Sequence, residues 1–227
     1  MNVFSFGFSE NIGPKERHKF DCIQFNDGLT RFALCDGANS TPWGAYAAEL
    51  AATTLVLPFD PSKDVEQAMK ESFFQANDLL LKKIDNGAAT GLSVEISPEG
   101  IYCGSCGDSL IEAYKLAPLR GWSWVAASQL DLLPDNHSPS QLIGSTAFDA
   151  ANIFYLAPKG AYTLLMMSDG VHSFTSQIER QKIISKIKGL QPGNQDMQFI
   201  SEELCNLALF NGSHDDASAL CMWVKFN

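Results

Sequence analysis

The strongest constraint on the fold is the order in which strand-like and helix-like patterns follow one another. Apolar residues alternate at Phe4, Phe6 and Phe8, and two short strands follow, from Cys22 to Phe25 and from Leu29 to Cys35, separated by the turn Asn26-Asp27-Gly28. Two helical patterns come next, then six strands, two more helices and a last strand. The third helical pattern starts near Ser176, which with Glu179 makes a capping-box pattern. Helices that come in pairs do not suit a repeated strand–helix–strand crossover. We therefore predict an α+β fold, a four-layer αββα sandwich of two antiparallel sheets, each covered by a helix pair.

Composition limits the classes of protein that this chain can belong to. With 227 residues, 45% of them hydrophobic, it can bury a sizeable core, and we predict a single domain over 1–227. The net charge of −10 argues against a nucleic-acid partner, which needs a basic face. No run of 18 apolar residues is present, so we expect no membrane span. We also expect a cytoplasmic location and a monomer.

The cysteines favour packing over chemistry. The pair Cys103-Gly-Ser-Cys106 has the spacing of some metal and redox sites. It lies in a predicted strand, however, where residues three apart point to opposite faces. We interpret these cysteines as reduced core residues.

Aspartates recur where apolar strands end. Asp36-Gly37, Gly107-Asp108-Ser109 and Ser168-Asp169-Gly170 each follow such a strand, while Asp215-Asp216 precedes the last one and Asp21 precedes an early one. Any one Asp-Gly is typical of an ordinary turn, and an acidic sandwich with plain turns is one reading of the set. If the strand ends share one rim, the carboxylates converge and need cations. Oxygen ligands of this kind select Mg²⁺ or Mn²⁺.

This ordered set of motifs resembles the metal-dependent serine/threonine protein phosphatases of type 2C, most closely their compact bacterial members. The resemblance runs from about Phe4 to Phe226 and includes Asp36-Gly37-Ala38-Asn39 leading into a helix. It implies the four-layer sandwich that the element order predicts. It also implies two Mg²⁺ or Mn²⁺ ions, with a weak third, and a metal-activated water that attacks phosphorus in phosphoserine or phosphothreonine of a protein substrate.

The resemblance also implies a role for particular residues. Asp36 would bridge two metals and the Gly37 carbonyl would bind one of them. Asp169 and Asp215 would complete the first metal's shell, and Asp108 would belong to the third site. Asp21 would hold metal-bound waters, and Arg17 is the nearest match to the arginine that holds the substrate phosphate, with Lys15 and Lys19 as alternatives.

The sequence departs from the family pattern at four places, and three of them bear on the metals. Phe20 stands where the family has a glutamate that binds the second metal, and Ser173 where it often has an aspartate. Asp216 replaces a usual asparagine, and the flap after the Gly-Asp-Ser strand is shortened to roughly 131–144. The pattern predicts an intact first metal site, a weakened second site and a doubtful third. The alternative function is a catalytically weak or inactive phosphatase-like module that binds a signalling partner.

Overall fold

The computed structural model describes residues 4–13, 19–117, 121–135, 138–187 and 191–226. They form ten strands and five helices, in two five-stranded sheets. The chain divides into two compact units. We call them the terminal unit (Met1–Lys19, Leu110–Ala127, Pro158–Asn227) and the central unit (Phe20–Ser109, Ser128–Ala157). The sequence-based prediction of one domain stays a prediction.

The central unit contains one sheet and two helices. The elements are β2 (Asp21–Phe25), β3 (Arg31–Asp36), α1 (Gly44–Leu55), α2 (Val65–Lys83), β4 (Gly91–Ser97), β5 (Gly100–Cys106) and β8 (Asn152–Leu156). The sheet has the order β2-β3-β4-β5-β8, with every neighbouring pair antiparallel. Helix α1 packs on β2 and β3, and α2 packs on α1 and β5.

The core of the central unit depends on small residues in α1. Four alanines of this helix are fully buried, and larger side chains of α2 such as Met69, Phe73 and Leu80 fill the space beside them. Small residues let the helix approach the sheet closely, which fixes the position of the β3–α1 connection. The N-cap of α2 is Asp64, whose side chain accepts hydrogen bonds from the N–H groups of Glu66 and Gln67.

The terminal unit contains the other sheet and three helices. The elements are β1 (Phe4–Asn11), β6 (Leu110–Ala117), β7 (Gly121–Ala127), β9 (Gly160–Met167), α3 (Asp169–His172), α4 (Gln177–Ile184), α5 (Asn194–Phe210) and β10 (Ala217–Phe226). The sheet has the order β1-β10-β9-β6-β7, again antiparallel throughout. Helix α5 packs on β1 and β10, and α4 packs on β7 and α5.

The predicted α+β class is confirmed, as are the two antiparallel sheets with helices packed on each. The capping box that Ser176 and Glu179 predict is also present at the start of α4. The strand predicted from Leu29 begins at Arg31 instead. The Asn26 carboxamide oxygen accepts the N–H groups of Thr30 and Arg31, and Leu29 has a φ of 50°, so the turn is longer than its sequence indicated.

None of the helices in the described part of the chain combines the length and the apolarity needed to cross a bilayer.

Candidate functional site

Two carboxylates face each other across the β2–β3 ladder. Asp21 is the register partner of Asp36, and its side chain is buried, with 4% of the residue exposed. The Gly37 N–H donates to the Phe20 carbonyl at 3.1 Å, which makes Asp21 and Asp36 a non-hydrogen-bonded pair. Opposed side chains are closest in such pairs, and like charges placed there repel. The pair therefore favours a cation beside it.

Gly37 fits this position because its neighbour leaves no room for a side chain. A Cβ at Gly37 would lie 2.2 Å from the carbonyl oxygen of Gly44, in the first turn of α1. The Gly37 carbonyl accepts no hydrogen bond from any residue that the structure describes, whereas its N–H is used by Phe20. Among the described residues, no donor therefore competes with a cation for this backbone oxygen.

A chain of hydrogen bonds connects Asp36 with the turn that carries Asp108. The Asp36 N–H donates to Thr90 Oγ1 at 3.1 Å, and that hydroxyl lies 2.7 Å from Ser109 Oγ. Ser109 directly follows Asp108 in the predicted motif. The structure therefore places Asp21, Asp36, Gly37 and the Asp108 turn in one region of the central unit, which we call the central acidic cluster.

Asp131 supports the same turn, a role that none of the sequence motifs indicated. Its Oδ2 accepts the Gly107 N–H at 3.1 Å, and its own N–H donates to the Gly107 carbonyl at 2.9 Å. Its other carboxylate oxygen accepts the Asn152 side chain at 2.8 Å. Gly107 has a φ of 92°, which favours glycine. A single Asp in a loop after a strand carries no sequence signal for this contact.

In the terminal unit, Asp169 opens a helix that was not predicted. The Ser168-Asp169-Gly170 motif was expected as a strand end followed by a turn, but α3 starts at Asp169 and ends at His172. Four residues are too few to show a helical period. The Ser168 N–H donates to the Ser218 carbonyl, and Ser168 Oγ accepts the Ser218 N–H, both at 3.0 Å. The start of α3 is thereby fixed to β10.

Asp215 and Asp216 lie next to this helix start. A Cβ at Gly170 would lie 1.9 Å from the Asp216 carbonyl oxygen, so the two backbones are in direct contact. The Asp216 carboxylate, 2% exposed as a residue, accepts the Gly13 N–H at 2.8 Å, and Asp215 Oδ1 accepts the Asp216 N–H at 2.8 Å. We call Asp169, Asp215 and Asp216 the terminal acidic cluster.

The remaining predicted positions differ in how they are placed. Arg17 and Lys15 lie outside the described residues. Lys19, the other basic alternative, pairs with Glu10 at 2.6 Å and is half-exposed. Phe20 is partly buried and, as an apolar side chain, supplies no ligand atom where the family has glutamate. Ser173 donates its backbone N–H to the Asp169 carbonyl at 3.0 Å.

The donor set fits a hard divalent cation, completed by water. Among the described residues, no group of three or more His, Cys, Asp or Glu side chains lies close enough to hold a metal ion by itself. The facing Asp21 and Asp36 and the Gly37 carbonyl nevertheless form an all-oxygen set. Mg²⁺ is usually held by only one or two carboxylates and keeps several waters. Convergence of the central and terminal acidic clusters stays a prediction.

Burial keeps the thiols of the Cys103-Gly-Ser-Cys106 pair neutral. Cys103 and Cys106 are fully buried, and burial raises the pKa of both thiols. A thiol held neutral is a poor nucleophile and a poor metal ligand. This agrees with their interpretation as core residues.

No protein-family model matches this sequence, and no curated protein matches it either. Solved structures do match it over nearly its whole length. A bacterial serine phosphatase has a TM-score of 0.77 at 16% identity, with 98% of each chain covered. The catalytic domain of the serine/threonine protein phosphatase PstP, solved with two manganese ions, has a TM-score of 0.78 at 14% identity, covering 99% of this chain and 100% of that one.

A third similar structure, the serine/threonine phosphatase Stp1 from Staphylococcus aureus, has a TM-score of 0.76 at 16% identity and covers 99% of this chain and 96% of its own. At such identities the likeness shows the fold. This chain has the fold of the bacterial type 2C serine/threonine phosphatases, as the resemblance of its motifs implied.

Proposed function

We propose that this protein is a Mg²⁺- or Mn²⁺-dependent phosphatase that acts on phosphoserine or phosphothreonine in proteins. The observation that carries the proposal is the facing pair Asp21 and Asp36 beside the Gly37 carbonyl, in a chain with the fold of serine/threonine phosphatases. In this proposal Asp36, the Gly37 carbonyl, Asp169 and Asp215 are metal ligands. Asp108 belongs to a weaker third site.

When bound, two such ions would acidify a water molecule for attack on phosphorus and neutralise charge on the phosphoryl oxygens. The chain's own residues have supporting roles. Asp21 accepts hydrogen bonds from waters in the site and so orients them. Thr90 fixes the backbone of Asp36 through its hydroxyl. Arg17 would hold the substrate phosphate, because a guanidinium can bind two phosphate oxygens at once.

The test is hydrolysis of p-nitrophenyl phosphate and of a phosphothreonine peptide, with Mn²⁺ and with chelator. We expect turnover that requires Mn²⁺ and that Asp36→Asn lowers more than about a hundredfold, beyond the range seen for residues that only support ligands. The matched control is Asp27→Asn, an exposed aspartate in the turn of the same hairpin, which should keep wild-type turnover. Equal turnover in wild type and Asp36→Asn would refute the metal assignment.

A second candidate function is a phosphatase-like module that binds a phosphoprotein with little or no turnover. Phe20, which replaces a metal-binding glutamate, and Lys19, which is engaged by Glu10, favour it. It predicts that folded protein binds the phosphothreonine peptide in titration calorimetry while releasing no phosphate at any Mn²⁺ concentration. The cytoplasmic location and the monomeric state remain predictions from the sequence.

A further inference from the structure

A buried ion pair joins β6 and α4 in the terminal unit. Arg180 of α4 donates to both carboxylate oxygens of Glu112 in β6, each at 2.8 Å. The side chains are only 7% and 4% exposed. Tyr114 adds a third contact, since its hydroxyl donates to Glu112 Oε2 at 2.8 Å. Every group in this cluster is therefore tied to a specific partner.

Such a pair is poorly explained by stability alone. Removing two charges from water is costly, and apolar replacements of buried ion pairs often leave stability equal or higher. What an arginine offers that an apolar side chain lacks is a set of directed donors. The partners of its remaining N–H groups therefore indicate why an arginine is used here.

The remaining donors of Arg180 hold the end of α3. Its Nη1 donates to the His172 carbonyl at 3.2 Å, to the Thr175 carbonyl, and to Thr175 Oγ1 at 3.2 Å. The last carbonyls of a helix have no partner within the helix, and a four-residue helix has little stability of its own. His172 is the last residue of α3 and Asp169 is the first. Ser168 fixes one end of this helix to β10, and Arg180 fixes the other.

We propose that Arg180, oriented by Glu112, is a positioning residue: it fixes α3 and thereby sets the direction in which Asp169 offers its carboxylate to a divalent cation. This inference rests on the proposed function, because it assigns Asp169 to metal binding. Arg180 itself touches neither metal nor substrate in this scheme.

The first measurement is Mn²⁺ affinity by titration calorimetry of wild type and Arg180→Lys. Lysine keeps the charge but cannot reach Glu112 and the two carbonyls together. We expect the Mn²⁺ dissociation constant to rise about tenfold, the lower end of the range for residues that support metal ligands. Turnover of p-nitrophenyl phosphate should recover at saturating Mn²⁺. In metal-free protein, the amides of His172 and Ser173 should exchange hydrogen faster than in wild type.

A matched control comes from a second buried pair, Arg31 and Glu95 in the central unit, joined at 2.6 Å. Arg31→Lys should change the melting temperature but leave the Mn²⁺ dissociation constant unchanged. A third variant, Glu112→Leu/Tyr114→Phe/Arg180→Met, removes the whole polar cluster while keeping its bulk. It should remain folded and, like Arg180→Lys, bind Mn²⁺ about tenfold more weakly than wild type does.

The outcomes separate the two proposals. If wild type binds Mn²⁺ and the folded Arg180 variants bind it equally well, the positioning role is overturned and the proposed function stands. If wild type binds no Mn²⁺, the proposed function falls, and this inference falls with it. Weaker binding in both Arg180 variants but not in Arg31→Lys supports the positioning role.

Discussion

The central and terminal acidic clusters are held by different kinds of structure. In the central cluster, the register of a regular antiparallel ladder sets Asp21 against Asp36. In the terminal cluster, no ladder pairs the acids. A short helix instead packs its Gly170 against the Asp216 backbone, and side chains tie its two ends to β10 and α4.

This difference determines how each cluster tolerates its charge. The ladder sets two carboxylates opposite each other, and a cation beside them would relieve their repulsion. In the terminal cluster, backbone N–H groups already donate hydrogen bonds to two acidic side chains. The Gly13 N–H donates to the Asp216 carboxylate, and the Asp216 N–H donates to the Asp215 carboxylate. We therefore expect the central cluster to respond to metal more strongly than the terminal one.

The largest effect should come from filling the close contacts at the two glycines. Gly37→Ala places a Cβ 2.2 Å from the Gly44 oxygen, and Gly170→Ala places one 1.9 Å from the Asp216 oxygen. Backbone atoms cannot move away as a flexible side chain can, so each change should lower the free energy of unfolding by about 1–3 kcal/mol or more. Thermal unfolding measures the effect in metal-free protein.

The control for both is Gly28→Ala in the β2–β3 turn, where the nearest atom to the new Cβ would be 3.8 Å away. It should melt close to wild type. If Gly170→Ala had the same melting temperature as Gly28→Ala, the tight packing of α3 on the Asp216 backbone would be refuted. The contrast between the two clusters would then be refuted as well.

A smaller effect should separate the charge of Asp216 from its hydrogen bond. Asp216→Ala leaves the buried Gly13 N–H without its acceptor, which should cost about 1–3 kcal/mol of unfolding free energy. Asp216→Asn keeps an oxygen in place, so its free energy of unfolding should be close to that of wild type. Chemical denaturation of the two variants side by side checks this. Equal losses in both would show that the negative charge, and not the acceptor, stabilises this cluster.

The sequence predicted the parts of this molecule that rest on local patterns. The paired helices, the two antiparallel sheets and the capping box at Ser176 are confirmed, because each leaves a periodic or adjacent signal in the chain. The aspartates were found in the same way, each directly before or after a predicted strand. Their roles as ligands remain predictions.

Contacts decided by geometry were harder to predict. A strand starting at Leu29 would have set Phe25 opposite Leu29, and Asp36 would then not oppose Asp21. The observed start at Arg31, fixed by the Asn26 side chain, creates the facing pair. A shift of this kind, by an odd number of residues, changes which side chains meet and also turns the apolar residues of one strand to its other face. The contacts of Asp131 and Arg180 likewise join residues distant in sequence, which no local spacing reveals.

The smallest expected effect tests the repulsion in the central cluster. Asp21→Asn removes one of two facing carboxylates, and a like-charged cross-strand pair is worth roughly 0.2–1 kcal/mol. In metal-free protein we therefore expect the melting temperature to rise, by up to about 4 °C for a chain of this size. With Mn²⁺ the order should reverse, because the wild-type pair attracts the ion and the variant has lost half of that charge. Asp27→Asn, in the exposed turn of the same hairpin, should leave the melting temperature unchanged both without metal and with Mn²⁺. A lower melting temperature for Asp21→Asn without metal would mean that the buried carboxylate already stabilises the ladder, and the central cluster would then resemble the terminal one.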